Sequence, residues 1–225
     1  LLIPAPVFAA EPMALSIDGT VNIKLRIVNQ DDESNFSRDH ALQVDDGGLN
    51  LRARGEADHG LVYGAKIEVD TDAGGGGVAI DEQMIWFSGG WGRLELGNDD
   101  GAEGVMGNHG GDLNSGAGGF DGGPGDAFQF NSVSQGSPDI ASSSDATKIT
   151  YYTPRVNGIQ LGASYTPDTG ALGLDSLATN VTSLNLQDHL GFGVNFVQSF
   201  DDVAIRLAAV WSLGDAEALN TNSTS

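Results

Sequence analysis

From Leu15 to Ile27 the chain alternates strictly. Leu15, Ile17, Gly19, Val21, Ile23, Leu25 and Ile27 share one parity, and Ser16, Asp18, Thr20, Asn22, Lys24 and Arg26 share the other. A period of two held over thirteen residues puts one set on each face of a β-strand, whereas a helix would scatter both sets around its surface. Strands of soluble proteins average about five or six residues. A tilted strand that crosses a bilayer needs about nine to eleven. This one segment therefore narrows the choice to extended structure of membrane-spanning length.

The pattern returns eight more times. Leu49–Ala57 and Leu61–Val69 repeat it cleanly, and further strands are expected over about Val78–Phe87, Arg93–Leu96, Lys148–Tyr152, Ile159–Thr166, Leu190–Phe196 and Ile205–Trp211. The connections alternate as well. Asn29–Ala41 is long and Asp58–Gly60 short, Asp70–Gly77 long and Ser88–Gly92 tight, and Asn98–Asp145 is the longest. Pro154–Gly158 is again short, Pro167–Leu186 long, Ser199–Asp202 short, and a polar tail is expected from Ser212. In an up-and-down meander this rhythm puts every short turn at one end. Antiparallel transmembrane barrels have that asymmetry, with short turns on the periplasmic side and longer loops outside.

The basic residues decide which face meets lipid. Lys24, Arg26, Arg52, Arg54, Lys66, Arg93, Lys148 and Arg206 all fall in the polar register of a strand, and only Arg38 and Arg155 lie in connections. Each would cost about 2–4 kcal/mol on the lipid side at mid-depth. Eight such terms exceed the whole stability of an ordinary domain, about 5–15 kcal/mol. The polar register must face inward, into water. The remaining composition is exclusionary. With 31 acidic and 10 basic residues, a net charge of −21 is wrong for a nucleic-acid partner, whose phosphates attract Lys and Arg. The chain has no cysteine, so neither disulfides nor thiolate metal sites are available. Residues 1–9 resemble the end of a secretory signal, with Leu1, Leu2 and Ile3 as the tail of an apolar region and Val7-Phe8-Ala9 as a small-residue cleavage site, so the barrel domain is expected over 10–225.

The connection 98–145 stands apart. Its 48 residues include twelve glycines and eight acids but no Lys or Arg. A structureless loop of that length in a compact domain is either functional or disordered. Leu113, Phe120, Phe128 and Phe130 give this one something to pack, so it is expected to fold against a wall.

Two segments carry a family resemblance. Trp91-Gly92-Arg93-Leu94-Glu95-Leu96-Gly97-Asn98-Asp99-Asp100-Gly101-Ala102 resembles the fifth strand and loop entry of general porins from Gram-negative bacteria, of the alphaproteobacterial type. Lys148-Ile149-Thr150-Tyr151-Tyr152-Thr153-Pro154 with Gly158-Ile159-Gln160-Leu161-Gly162-Ala163-Ser164-Tyr165 resembles the hairpin that follows it. The resemblance covers most of Leu15–Trp211. It implies an outer-membrane channel for passive diffusion of ions and small hydrophilic solutes, assembled as a homotrimer, with a third outer loop that folds into the pore and narrows it. Such barrels have about sixteen strands and usually end on an aromatic residue. Nine strands would leave two long open edges in lipid, so the chain is expected to be a fragment of such a barrel.

On this reading the acids Asp99, Asp100, Glu103, Asp112, Asp121 and Asp126 of the loop face the bases Lys24, Arg26, Arg52, Arg54 and Arg93 of the wall. Charged rings and walls select ions at such constrictions. Gly119-Phe120-Asp121-Gly122-Gly123 is loosely similar to the loop-tip motif of enteric porins, with Asp where they have Glu. Small outward residues on the early strands, Gly19, Ala53, Gly55, Ala57 and Ala65, suit close subunit approach. Asp99, Asp100 and Asp112 are candidate calcium ligands through their carboxylates. His40, His59, His109 and His189 lack metal-ligand spacing and are expected at solvated surface, and no nucleophile elbow or Ser/His/Asp set suggests an enzyme. The alternative is a secreted, adhesin-like calcium-binding β-protein, which the glycine and aspartate content suggests but which should show tandem nonapeptide repeats that are missing here.

Overall fold

The computed structural model describes residues 13–27, 40–70, 78–107, 143–170 and 186–216. The expected signal remnant at 1–9 lies outside them, as do Asp112, Asp121, Asp126 and the side chains of Lys24 and Arg26. Nine strands form one sheet: β1 (Ala14–Ile27), β2 (His40–Ala57), β3 (Leu61–Asp70), β4 (Ala79–Gly89), β5 (Gly92–Asn98), β6 (Thr147–Tyr152), β7 (Ile159–Asp168), β8 (Leu186–Phe200) and β9 (Val203–Ala216). Each pairs antiparallel with its sequence neighbours, so their order in the sheet is their order in the chain, with β1 and β9 at the edges. One short helix, α1 (Ala102–Val105), follows β5.

Register turns alternation into two chemically distinct faces. Leu15, Ala53, Ala65, Ile85, Leu96, Ile149, Tyr165, Leu190 and Leu213 are partners in turn across all nine strands, forming one apolar row. One residue away on each strand runs Ala14, Arg54, Gly64, Trp86, Glu95, Thr150, Ser164, Gly191 and Ser212. Directly paired residues share a face, so the first row defines the outer surface and the second the inner. The outer side chains stand open: Leu15 is 70% exposed and Leu207 62%. The only buried apolar cluster among the described residues is Ala102, Met106 and Tyr152, with Val210 packed against it. A sheet this wide with its Leu, Ile and Trp turned outward has no water-soluble reading. Lipid supplies the apolar phase that a globular core would otherwise supply.

The four short connections fall at one end of the sheet. Gly90–Trp91 and Asp201–Asp202 are two-residue links between paired strand ends. Asn157–Gly158 is a third, closed by reciprocal Val156–Ile159 backbone bonds of 2.9 Å, with φ positive at both residues (49° and 87°). Only a primed turn has that geometry, and Asn-Gly is its preferred sequence because neither residue resists left-handed φ. A 3-10 turn at Asp58–Gly60 makes the fourth.

Two strand boundaries differ from the sequence expectation. β2 begins at His40 rather than Leu49, so the strand takes in the last two residues of the connection expected over Asn29–Ala41. Leu42 and Val44 pair with Leu25 and Ile23, whereas Gly47 and Leu49 pair with Val21 and Gly19, leaving Asp45 as an extra residue. This bulge flips the parity of the strand, so a strict period-two reading stops there. β9 runs to Ala216, beyond the polar tail expected from Ser212, and Leu213 keeps its place in the outer row.

The face assignment has a direct test. Ile85 lies in the outward register near the middle of β4 and is 46% exposed. Ile85→Arg is expected to lower the folding free energy in lipid or detergent by about 2–4 kcal/mol. Ser16→Lys, on the inward register of β1, is expected to change it by less than about 1 kcal/mol. Denaturant titration of the refolded protein reads both.

Candidate functional site

The inner face carries the bases, and each described one near the early strands has an acid beside it. Arg52 pairs with Asp18 on the neighbouring strand. Arg54 stands 3.7 Å from Glu56, with both side chains exposed. Lys66 holds Glu68 at 3.0 Å and also bonds Glu82. Arg93 donates Nε to Glu95 and lays its guanidinium 4.3 Å above the Trp86 ring centroid. That indole in turn lies against Gly64, where an added Cβ would sit 2.7 Å from the ring. The exposed Arg52–Asp18 and Arg54–Glu56 pairs contribute about 0–1 kcal/mol each, so their consequence is mainly electrostatic. The basic wall is largely self-compensated.

The long loop leaves the sheet over a groove without side chains. Inward positions of β7 and β8 hold Gly162, Gly191 and Gly193, and α1 lies in the space they leave. A Cβ on Gly191 would fall 1.6 Å from Glu103 Oε2, one on Gly193 2.7 Å from Met106 Cβ, and one on Gly162 2.4 Å from Met106 Sδ. Glycine inside a strand often marks such close approach by another part of the chain. Here the visitor is the root of the loop, and it docks on the same face as the bases.

Glu103 anchors that root. Its Oε1 accepts from Ser143 N at 3.0 Å and Ser143 Oγ at 2.8 Å, and its Oε2 accepts from Ser164 Oγ at 2.8 Å. The Ser164 hydroxyl also accepts from Ala102 N at 3.2 Å. Beside this bond set Lys148 Nζ donates to the carbonyls of Asp99 and Ser144, and Thr147 Oγ1 donates to Asn98 Oδ1 at 3.1 Å. Residues leaving and returning at the loop base are thereby fastened to each other and to the wall. Burial opposes the charge on Glu103, but the bonds from Ser143 and Ser164 outweigh it and hold the carboxyl below its ordinary range. Asp99 and Asp100 move the other way, raised chiefly by burial, with neighbouring acids such as Glu95 for Asp99 and Asp145 for Asp100 adding repulsion.

Not every expected site residue faces the basic strands. Asp99 and Asp100 are half-buried at the mouth of the loop. Glu103, expected to look across at the bases, is buried against β7 instead, because its carboxylate fills the space over Gly191. His189 is also a correction. It is fully buried rather than solvated, with Nδ1 3.9 Å from Glu103 Oε1 and no hydrogen-bond partner for either ring nitrogen among the described residues. For calcium, no group of three His, Asp or Glu that could hold a metal occurs among the described residues, and the Lys148 ammonium already occupies the Asp99 carbonyl. Lys66 is inward as its register predicts, while Glu82, Glu95, Ser143 and Ser164 join the site without any signal of their own in the sequence. The one available signal was the Gly191-Phe192-Gly193 run in β8, which spends its inward positions on glycine.

The whole of residues 1–225 matches the family model for Gram-negative porins. A comparison with curated proteins finds no match. Among solved structures, a double mutant of the Rhodobacter blastica porin superposes with a TM-score of 0.51 at 18% identity, covering 88% of this chain and 63% of that one. A loop L8 deletion mutant of OmpT, an outer membrane protein of Vibrio cholerae, gives a TM-score of 0.51 at 13% identity, over 93% of this chain and 72% of that one. At these identities the likeness is one of fold, and this chain spans less than two thirds of the Rhodobacter porin.

Gly191→Ala is expected to push α1 off the wall, since the added carbon cannot coexist with the Glu103 carboxylate. The cost should be about 1–3 kcal/mol, with amide protons of residues 102–106 losing protection in hydrogen exchange. Gly48→Ala, whose new carbon would meet nothing nearer than 3.8 Å, should leave those amides unchanged.

Proposed function

The chain belongs to the Gram-negative porins, and from that premise we propose that it forms part of a channel through which ions and small hydrophilic solutes diffuse passively. The family places it in the outer membrane and makes it a channel protein rather than an enzyme. The observation that carries the reading is the division of the sheet, with an unbroken apolar row outside and the described strand bases inside. The adhesin-like alternative rests on glycine and aspartate content alone. Calcium stays a proposal that Asp112 would have to complete.

In this reading the loop 98–145 narrows the pore, with Asp121 and Asp126 toward the lumen opposite Lys24, Arg26, Arg52, Arg54 and Arg93. Support comes from the docking of the loop root on the inner face. The field across the constriction is weaker than opposed sets of bare charge would give, because Asp18, Glu56, Glu68, Glu82 and Glu95 sit among Arg52, Arg54, Lys66 and Arg93. Loop acids then tip the balance toward cations, and screening removes the remainder beyond about 8–10 Å at physiological salt.

The zero-current potential of the full-length protein in a planar bilayer, under a tenfold KCl gradient, tests this. Wild type is expected to be weakly cation-selective. Asn at both Asp121 and Asp126 should move the potential toward anions. Gln at both Arg52 and Arg54 should move it toward cations by a smaller amount, since each arginine has a carboxylate beside it. Two unchanged potentials would remove these residues from the constriction.

A homotrimer belongs to the same proposal. Ala53 and Ala65 pair on the outer face, and Gly19 lies on the outer register of β1, leaving room for a neighbouring subunit. Unheated detergent samples should migrate as trimers and heated ones as monomers. A monomeric mass by light scattering would count against it.

A further inference from the structure

We propose that the inner wall around Trp86 is a subsite for small aromatic anions, aryl carboxylates above all, which it holds in preference to non-aromatic anions of the same size and charge. This rests on the reading of the inner face as the lining of a channel. Among the described residues, the inward registers of the strands hold two aromatic side chains, Trp86 and Tyr152. Tyr152 is closed off, 7% exposed and packed with Met106 in the loop root. Trp86 on β4 is partly exposed and stands outside that cluster.

Register sets the neighbours of the indole. Arg54, Gly64, Trp86 and Glu95 follow one another across β2, β3, β4 and β5. The six-membered part of the ring reaches over β3, where a Cβ on Gly64 would fall 2.7 Å from it. Gly64 therefore puts no side chain between the indole and Arg54. The contact of Arg54 with Glu56 is loose, 3.7 Å with both side chains more than half exposed. From β5, Arg93 sets its guanidinium carbon 4.3 Å from the ring centroid while its Nε bonds Glu95.

These residues select for a ring and a charge together. Glu95 already compensates Arg93, so a simple anion gains little from that charge. A guanidinium is flat, however, and stacks on aromatic faces whether or not it is ion-paired. A planar π ring moving along the wall gains that stack on the Arg93–Trp86 pair, and its carboxylate takes hydrogen bonds from Arg54, whose guanidinium offers only donors. A saturated ring of equal size has no π face and gains contact alone. The other described bases lack this combination: Arg52 bonds Asp18, Lys66 bonds Glu68 and Glu82, and neither has an aromatic register partner.

Block of the ion current through the full-length protein by benzoate and by cyclohexanecarboxylate, each added at pH 7 in constant KCl, tests the subsite. Both probes are ionised at that pH. The saturated one is the more apolar, so plain hydrophobic attraction would favour it. Wild type is expected to be half-blocked by benzoate at a concentration about threefold to tenfold lower. Trp86→Leu should bring the two probes level, and Trp86→Phe, which keeps a flat ring, should preserve part of the preference. Arg54→Gln should weaken block by both probes and leave their ratio standing. Equal block of wild type by the two probes would overturn the proposal. A preference that survives in Trp86→Leu, one wholly lost in Trp86→Phe, or block unmoved in Arg54→Gln would do the same. Each of those outcomes leaves a conducting channel, whereas absence of any current would fail the channel reading itself.

Discussion

Inside a hydrocarbon layer no water is present to satisfy a backbone N–H or C=O. Every strand that crosses must find its partner in a neighbouring strand, and the arrangement of this chain follows from that requirement. Each of the first eight strands pairs with the next in sequence. Once the ladder is fixed, side-chain register is fixed with it, and a slip of one residue would turn Arg52 and Arg54 toward lipid and Leu51 and Ala53 toward water. The hydrophobic and ionic terms therefore act together on register, which is why the outer row is apolar across all nine strands while its neighbour carries arginine, glutamate and serine.

Charge on the inner face is arranged in close pairs rather than opposed sheets. Arg52 with Asp18, Lys66 with Glu68 and Glu82, and Arg93 with Glu95 are all neighbours on the wall itself. Opposite charges paired this closely largely cancel each other's field beyond their own spacing. The Arg93 guanidinium is flanked by the Trp86 ring 4.3 Å away and bonded to Glu95, two contacts that a free arginine would lack.

Alternation made the strands legible because β1, β3 and β7 hold strict parity. It failed at β2, where the extra Asp45 inverts parity and hides nine residues of strand. The root of the loop, residues 102–106, packs on the wall, in keeping with the length and glycine content of 98–145, whereas the aromatic residues expected to pack the rest lie outside the described residues. Which of its acids face water was not legible. Glu103 and Asp99 look alike in sequence, and only the groove over Gly191 separates a buried anchor from a residue at the mouth. His189 was misjudged for the same reason. Its environment is made by a helix nearly ninety positions earlier in the chain, and no local pattern reports that.

The loop base has a further meaning for assembly of the sheet. Closing a chain on itself costs entropy that grows with the logarithm of loop length. Joining β4 to β5 closes the two-residue link Gly90–Trp91, whereas joining β5 to β6 must close residues 99 to 146, a difference of about 3 kcal/mol. The β5–β6 seam is also short, six paired residues from Arg93–Tyr152 to Asn98–Thr147. On entropy alone it is the last seam to zip and the first to part. The Glu103, Lys148 and Thr147 bonds stand at the mouth of that seam, so the contacts that fix the loop also splice two runs of hairpins into one continuous sheet.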